Sequence, residues 1–251
     1  MTNPVSPPSG VPRGLGFDRA GLERWATSKD VVEAIPAATV ILLRDSPDGV
    51  ETLMLKRNSK IAFGGMWVFP GGRVDAADVV ADAPDDPFAA ARQAAVRETM
   101  EETGLVVALD ALVWQSYWVP PPQTPKRFAT WFFVARAPEG AVVVDEGEIH
   151  DHMWVSPADA IARRDAAEIE LAPPTWVTLH TLSLSPTVEH ALERAAGSEP
   201  EHFTTRAAVT DEGVVTMWHG DAGYESGDPS TPGARHRLRM TESGWRYERT
   251  M

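Results

Sequence analysis

The chain has 251 residues, no cysteine and a formal net charge of −13 at pH 7. The lack of cysteine excludes disulfide bridges, cysteine-ligated zinc and a thiol nucleophile, and the acidic balance argues against nucleic acid as a ligand, because Lys and Arg must neutralise its phosphates. No apolar run is long enough to cross a bilayer, so we expect a cytoplasmic protein that does not bind membranes.

The chain divides into three predicted parts. Residues 1–35 begin with many Pro, Gly and Ser residues, which is typical of a loose tail or surface strap, and a short helix is expected at their end. Residues 36–185 predict one main domain. Residues 186–251 predict an extension, a helix and a β-hairpin packed on that domain. Within the main domain, "AATVILLR" and "VETLMLKR" flank the turn signal "SPDG" and predict a β-hairpin.

A helix is predicted from about Pro87 to Thr103. Asp86 is a suitable N-cap, Pro87 suits the first helical position, and Gly104 can adopt the left-handed conformation that ends a helix.

The end of this helix is acidic on one side. A rotation of 100° per residue places Glu98, Glu101 and Glu102 in one sector, and Val96 and Met100 on the opposite side, which we expect to be the core side. Like charges at these spacings destabilise a helix by a few tenths of a kcal/mol per pair, on the order of 0.2–0.5. A bound hard cation such as Mg²⁺ or Mn²⁺ would reverse that effect; the alternative is a solvated helix face.

The elements that follow alternate strands and helices. "LVWQSYWV" and "RFATWFFVARA" predict aromatic strands around a stiff Pro120–Pro122 loop, and Ser156 caps a predicted helix. Two further helices are expected near "PPTWVTLHTLSL" and "SPTVEHALERAA", and antiparallel strands from about residue 201. Arg235, Arg237 and Arg239 alternate with less polar residues, so we expect the solvent face of a terminal hairpin, with a phosphate-facing stripe as the alternative.

One region resembles the Nudix hydrolases. Gly72 fits the opening of their box, and Arg97-Glu98-Thr99-Met100-Glu101-Glu102-Thr103-Gly104-Leu105 fits its ending. Three features depart from the pattern: Asp78 stands where Glu is usual, eighteen residues rather than seven separate it from Arg97, and Thr99 replaces an aliphatic residue. The longer spacing implies an insertion at about residues 79–91, which lengthens a surface excursion and extends the start of the helix. Either Asp78 or Asp75 remains a candidate partner of Arg97.

The resemblance, which covers roughly residues 36–185, implies an α/β/α sandwich with a mixed sheet, followed here by the C-terminal β extension. It also implies that water attacks a diphosphate held by Mg²⁺ or Mn²⁺. In that scheme Glu98, Glu101, Glu102 and the Gly72 carbonyl bind the metal, and Arg97 orients Glu98. In "EGEIHDHMWVSP", Glu148 resembles a further family glutamate, either a fourth ligand or the general base; a solvated acid is the alternative.

The flanking segments resemble the subgroup that includes the animal peroxisomal acyl-coenzyme A diphosphatase, which implies coenzyme A or acyl-coenzyme A as substrate. Arg57, Lys126 and Arg127 are then candidates for its 3′-phosphate, because cationic side chains bind phosphate, and Phe128 is a candidate to stack on the adenine. An ADP-ribose or dinucleotide-polyphosphate hydrolase, or a non-catalytic nucleotide sensor, stays an alternative. In each case the expected partner is a small molecule. The sequence leaves the oligomeric state open, and a homodimer is one of the alternatives.

Overall fold

A computed structural model describes residues 31–58, 65–124, 126–144, 147–241 and 243–250. The predicted tail and short helix fall almost wholly on residues 1–30, which lie outside the described residues. Within the described ranges, no helix is both long enough and apolar enough to span a membrane.

The described ranges contain twelve strands, four α-helices and two short 3-10 helices. The strands are β1 (Ile35–Ser46), β2 (Gly49–Arg57), β3 (Trp67–Val68), β4 (Gly71–Arg73), β5 (Val113–Val119), β6 (Phe128–Arg136), β7 (Ile149–Val155), β8 (Glu201–Thr204), β9 (Arg206–Thr210), β10 (Gly213–Met217), β11 (His236–Thr241) and β12 (Gly244–Arg249). The helices are α1 (Pro87–Thr103), α2 (Pro157–Asp165), α3 (Pro173–Leu182) and α4 (Val188–Ala196), and the 3-10 helices are Ala76–Asp78 and Leu109–Ala111.

The larger sheet is mixed. Its main order is β3-β2-β1-β6-β5-β8, with β4 also paired to β1 and β7 to β2. The pairs β1–β6 and β5–β8 are parallel, and the remaining pairs are antiparallel. The predicted hairpin is confirmed, since Ser46 pairs with Gly49 across the turn.

Both faces of this sheet are covered. On one face, Ala91, Ala94 and Ala95 of α1 pack in a cluster with Leu42 and Phe133. On the other face, a second cluster joins residues of α2, α3 and α4 to the sheet and to the four-stranded sheet that follows. Small alanines let α1 approach the sheet closely, and the expected α/β/α arrangement with a mixed sheet is confirmed.

The limits of α1 agree with the prediction, but its orientation does not. The Asp86 side chain accepts hydrogen bonds from the amides of Phe88 (2.9 Å) and Ala89 (3.1 Å), and Gly104 is left-handed with φ 71°. Met100, however, is 52% exposed, whereas Glu102 is 4% exposed. The expectation that Met100 faces the core is therefore wrong, because the glutamates lie on the same helical arc as the buried alanines.

The C-terminal strands differ from the prediction at their start. β9 to β12 form an antiparallel sheet of order β12-β11-β10-β9, as expected, but β8 joins the larger sheet and runs parallel to β5. The β8 strand therefore links the extension to the main domain through backbone hydrogen bonds. The exact boundary between the two parts stays a prediction.

The arginine stripe on β11 is not a solvent face. Arg237 is 0% exposed, and its guanidinium donates from Nε to Asp221 Oδ2 (2.7 Å). Asp221 also accepts from the amides of Gly223 (2.8 Å) and His236 (2.9 Å). Loss of either partner would leave a buried charge without its counter-ion, so Arg237 and Asp221 depend on each other in the second sheet.

Candidate active site

The site begins with a buried ion pair that joins the 3-10 helix Ala76–Asp78 to α1. Asp78, whose side chain is 3% exposed, accepts hydrogen bonds from Arg97 Nε and Nη2, both at 2.9 Å, and from the Asp75 amide at 2.8 Å. Burial raises the pKa of Asp78, but the bonds from Arg97 and Asp75 outweigh it and hold that pKa below its ordinary value. Asp75 itself lies 3.9 Å from Arg73, so Asp78 is the partner of Arg97.

Arg97 also reaches the glutamates of its own helix. Its Nη1 donates to Glu98 Oε1 (3.0 Å) and to Glu101 Oε2 (2.9 Å), while Nη2 donates to the carbonyl of Arg73 (3.0 Å). The hydrogen bonds to Asp78, helped by the charge of Glu98, raise the pKa of Arg97 above its ordinary value. Arg97 therefore links the Glu98 carboxylate to β4, and the orienting role that the resemblance implies for it stays a prediction.

A second arginine holds the other two glutamates. Glu102 accepts from the Gly71 amide (2.8 Å) and from Arg57 Nη2 (3.1 Å), and the same Nη2 donates to Glu148 Oε2 (3.3 Å). Burial raises the pKa of Glu102 to about 7, although Arg57 and the Gly71 amide oppose that shift. Burial likewise raises the pKa of Glu98, against the effect of Arg97.

Two glycines make room for this arrangement. A Cβ atom at Gly71 would collide with the Ala38 carbonyl on the neighbouring strand, and Gly71 has a φ of 153°. A Cβ atom at Gly72 would collide with the carboxylate of Glu98. Glycine at position 71 thus allows β4 to approach β1, and glycine at position 72 leaves room for the Glu98 carboxylate.

The cluster suits a hard cation in charge and donor type. Five carboxylates face two guanidinium groups and leave an excess of negative charge; they are Asp78, Glu98, Glu101, Glu102 and Glu148, around Arg57 and Arg97. Mg²⁺ and Mn²⁺ prefer such oxygen donors. As the side chains stand, the described residues contain no group of three or more Asp, Glu or His that is already arranged to hold a metal. The guanidinium groups engage the carboxylates instead.

Part of the cluster lines a large cavity. The cavity has a volume of about 620 Å³, and Glu98, Glu101 and Glu148 lie on its wall beside Arg57 and Gly72. Glu102 lies behind this wall, with a side chain that is only 5% exposed. Room for a ligand therefore exists directly in front of three of the four glutamates.

The predicted substrate-binding residues separate into two groups. Lys126 and Phe128 line the cavity, and the Lys126 ammonium lies 5.8 Å from the Phe128 ring centre. Arg127 is not in the lining; its guanidinium donates to the carbonyls of Pro120 (2.8 Å) and Val32 (3.1 Å). Its position gives the substrate-binding prediction no support, because both contacts join the Pro120–Pro122 loop to the segment before β1.

Sequence reasoning missed another part of the cavity lining. It consists of Trp118 of β5, Ala207 of β9, Thr216 of β10 and Trp218 directly after it. Only the packing of the second sheet against the first brings these residues together. The high tryptophan content of nine residues was a signal, but it did not say which rings border a cavity.

Comparison with known proteins places the central part of the chain in a family. The family model for the NUDIX domain matches residues 34–177, more than half of the chain. Among solved structures, a NUDIX hydrolase from Alicyclobacillus acidocaldarius is similar, with a TM-score of 0.58 and 24% identity over 66% of this chain and 97% of that chain. At that identity the likeness concerns the fold alone. By sequence, no curated protein matches the chain.

Two further solved structures are more distant. The NUDIX domain of Shewanella oneidensis NrtR, complexed with ADP ribose, has a TM-score of 0.44 and 19% identity over 69% of this chain and 97% of that chain. A C. elegans Ap4A hydrolase binary complex has a TM-score of 0.41 and 22% identity over 60% of this chain and 96% of that chain. Neither similarity identifies a ligand for this chain.

Proposed function

Because this chain belongs to the Nudix hydrolase family, we propose that it cleaves the diphosphate of a nucleoside diphosphate linked to another moiety, by attack of water at phosphorus. The main observation in support is that Glu98, Glu101 and Glu148 line one end of a cavity of about 620 Å³ and are held there by Arg97 and Arg57. Clustered carboxylates repel an anionic substrate unless a cation lies between them and the substrate.

Mg²⁺ or Mn²⁺ would be held by Glu98, Glu101, Glu102 and the Gly72 carbonyl. When bound, such an ion neutralises phosphate charge and lowers the pKa of water. The chain's own groups prepare for this: the bonds from Arg97 fix one Glu98 oxygen, and the Gly71 amide fixes one Glu102 oxygen. Glu102 and Glu148 would then contact both Arg57 and the cation. This is possible because Arg57 contacts the two glutamates through one atom only, Nη2.

The general base is a carboxylate that touches the attacking water. Glu148 is the candidate outside α1; its side chain is 57% exposed, and one of its oxygens, Oε2, contacts Arg57. Glu98 is the candidate on α1, where Arg97 leaves its second oxygen, Oε2, without that contact. Both residues line the cavity, so both can reach a water placed against the diphosphate.

Coenzyme A or acyl-coenzyme A is the substrate we propose. Lys126 offers a cationic group for the 3′-phosphate at the cavity wall, and Phe128 offers a ring for the adenine. Arg57, the third candidate, also lines the cavity, where its Nη2 already donates to Glu102 and Glu148.

The test is a turnover panel with Mg²⁺ that contains coenzyme A, an acyl-coenzyme A, ADP-ribose and a dinucleotide polyphosphate, with products separated by chromatography. We expect coenzyme A to yield a 3′,5′-bisphosphate nucleotide and phosphopantetheine, and chelation of the metal to abolish the reaction. Faster cleavage of ADP-ribose or the dinucleotide would replace the proposed substrate. Binding without any cleavage would favour a nucleotide sensor.

A further inference from the structure

Arg57 lies at the end of β2 and joins two acidic residues from separate segments. Its Nη2 atom donates to Glu102 Oε1 of α1 at 3.1 Å and to Glu148 Oε2, directly before β7, at 3.3 Å. The Arg57 backbone is held as well, since its amide donates to the Met66 carbonyl (3.1 Å) and its carbonyl accepts from the Gly65 amide (2.9 Å). Arg57 is therefore a fixed point between α1 and the segment that carries Glu148.

A β-bulge places Glu148 beside the end of β2. The pairing of β7 with β2 skips one residue of β7, so that Arg57 lies opposite Ile149. The amide of Asn58 then donates to the Glu148 carbonyl at 2.8 Å. Bulges of this kind redirect side chains and are common next to active sites. Here the bulge brings the Glu148 backbone next to the residues that end β2.

The Glu148 side chain depends on Arg57 for its place. It is 57% exposed, and among the described residues Arg57 is the one cationic side chain in ion-pair contact with it. The charge of Glu148 adds to the effect of burial in raising the pKa of both Glu98 and Glu102, so the three carboxylates repel one another. Without a counter-ion, this repulsion would favour a Glu148 side chain that is turned away into solvent.

The other end of the bridge is rigid. The Arg57 side chain is 15% exposed and that of Glu102 is 5% exposed. Glu102 also accepts a hydrogen bond from the Gly71 amide at 2.8 Å. A pair between two exposed side chains gains little, because solvent weakens it and both side chains lose freedom. The Arg57 guanidinium is already ordered by a buried partner, so it can order Glu148 in turn.

We propose that Arg57 is a positioning residue for Glu148: by bridging Glu102 and Glu148, it holds the Glu148 carboxylate at the cavity wall, where this carboxylate takes the proton of the attacking water. In that step the water oxygen bonds to phosphorus, its proton passes to Glu148, and the bond from that phosphorus to the bridging oxygen breaks. The bridging oxygen leaves on the other phosphate. This inference rests on the proposed diphosphate hydrolysis and selects Glu148 over Glu98 as the general base. Arg57 then acts through Glu148 and not through contact with the substrate.

The test is a double-mutant cycle in turnover with Mg²⁺, on the diphosphate that the wild type cleaves fastest in the panel above. The variants are Arg57→Met, Glu148→Gln and the two together, and kcat and KM are measured for each. Arg57→Lys enters the cycle as a second variant, because it keeps a positive charge beside the buried Glu102 and so preserves the fold. Lys56→Met, at the neighbouring residue of β2 outside the cavity lining, is the matched control. Calorimetry of methylenediphosphonate binding with Mg²⁺ reports on phosphate contacts without turnover.

We expect Arg57→Met to lower kcat by about tenfold or more, with KM changed by less than about twofold. When Glu148 is already replaced by Gln, the same substitution should lower kcat by less than about threefold, because residues that act through one another are not additive. Arg57→Lys should show the same pattern with a smaller effect. Lys56→Met should change kcat by less than about twofold, and Arg57→Met should bind methylenediphosphonate no more than about twofold more weakly than the wild type. A purely structural role for Arg57 would lower turnover equally in both backgrounds.

Three results would overturn the proposal while the wild type still cleaves its substrate and the proposed function stands. In the first, the Arg57 variants lower turnover by the same factor with and without Glu148. In the second, Arg57→Met raises KM and weakens methylenediphosphonate by about tenfold or more, as expected for a direct phosphate contact. In the third, Glu148→Gln leaves kcat unchanged. A wild type that cleaves no diphosphate of the panel would instead remove the proposed function, and this inference with it.

Discussion

The ion pair between Asp78 and Arg97 gives the sharpest stability prediction. Asp78 is 3% exposed at its side chain and receives two hydrogen bonds from Arg97, which is itself 27% exposed. Removal of one partner of a buried pair costs about 3–5 kcal/mol, and the partial exposure of Arg97 places Asp78→Ala near the lower end, at about 3 kcal/mol. Asp78→Asn keeps an oxygen for one guanidinium N–H, so we expect about half that loss.

The assay is urea unfolding followed by tryptophan fluorescence, which yields the free energy of unfolding. The matched control is Asp75→Asn, because the Asp75 side chain is 55% exposed and lies 3.9 Å from Arg73; it should cost less than about 0.5 kcal/mol. Turnover should fall with Asp78→Ala as well, because Arg97 is then free to leave Glu98. Equal losses of stability at the two positions, or no loss at Asp78, would refute the reasoning.

Three further changes test other parts of the structure. Glu102→Gln should reduce turnover by at least about 100-fold while circular dichroism stays unchanged, because it removes a predicted metal ligand; a near-normal rate would argue against that role. Gly72→Ala should reduce turnover with little change in the urea midpoint, since the new methyl group must displace the Glu98 carboxylate; unchanged kinetics would contradict the need for glycine. Asp221→Asn should cost about 3–5 kcal/mol at pH 7 because Arg237 stays buried. Burial raises the pKa of Asp221, but the hydrogen bonds from Arg237 and two amides hold that pKa below its ordinary value. Ionised Asp221 therefore contributes fully to the free energy of unfolding above the unfolded pKa of about 3.9, and this contribution is lost as the pH falls further. The wild type and variant should therefore converge in unfolding free energy below about pH 4, and a constant difference would contradict the shift.

Local signals predicted the elements well. The caps Asp86 and Gly104 placed both ends of α1 correctly, because each end depends only on neighbouring residues. Periodicity also grouped Glu98 and Glu102 on one side of the helix. It did not say which side faces the sheet, since the buried alanines Ala91, Ala94 and Ala95 share that side and are small enough to suit either environment.

Contacts between distant segments were not predictable in the same way. The choice between Asp75 and Asp78 depends on the 3-10 helix that turns Asp78 toward Arg97, and Arg237 is buried because Asp221 approaches from a loop sixteen residues earlier. Alternation along β11 carries no information on that loop. The part of the cavity lining that the second sheet supplies was missed for the same reason, because Thr216 and Trp218 border the cavity only once the two sheets are packed together.

The central claim is that the glutamates beside Arg97 and Arg57 hold a divalent cation for diphosphate chemistry. Its most direct test is a titration of the protein with Mn²⁺, followed by electron paramagnetic resonance, for the wild type and Glu98→Gln. We predict saturable Mn²⁺ binding by the wild type and a loss of affinity of at least about tenfold in the variant. The absence of saturable binding by the wild type, or equal affinity in the two proteins, would contradict the claim.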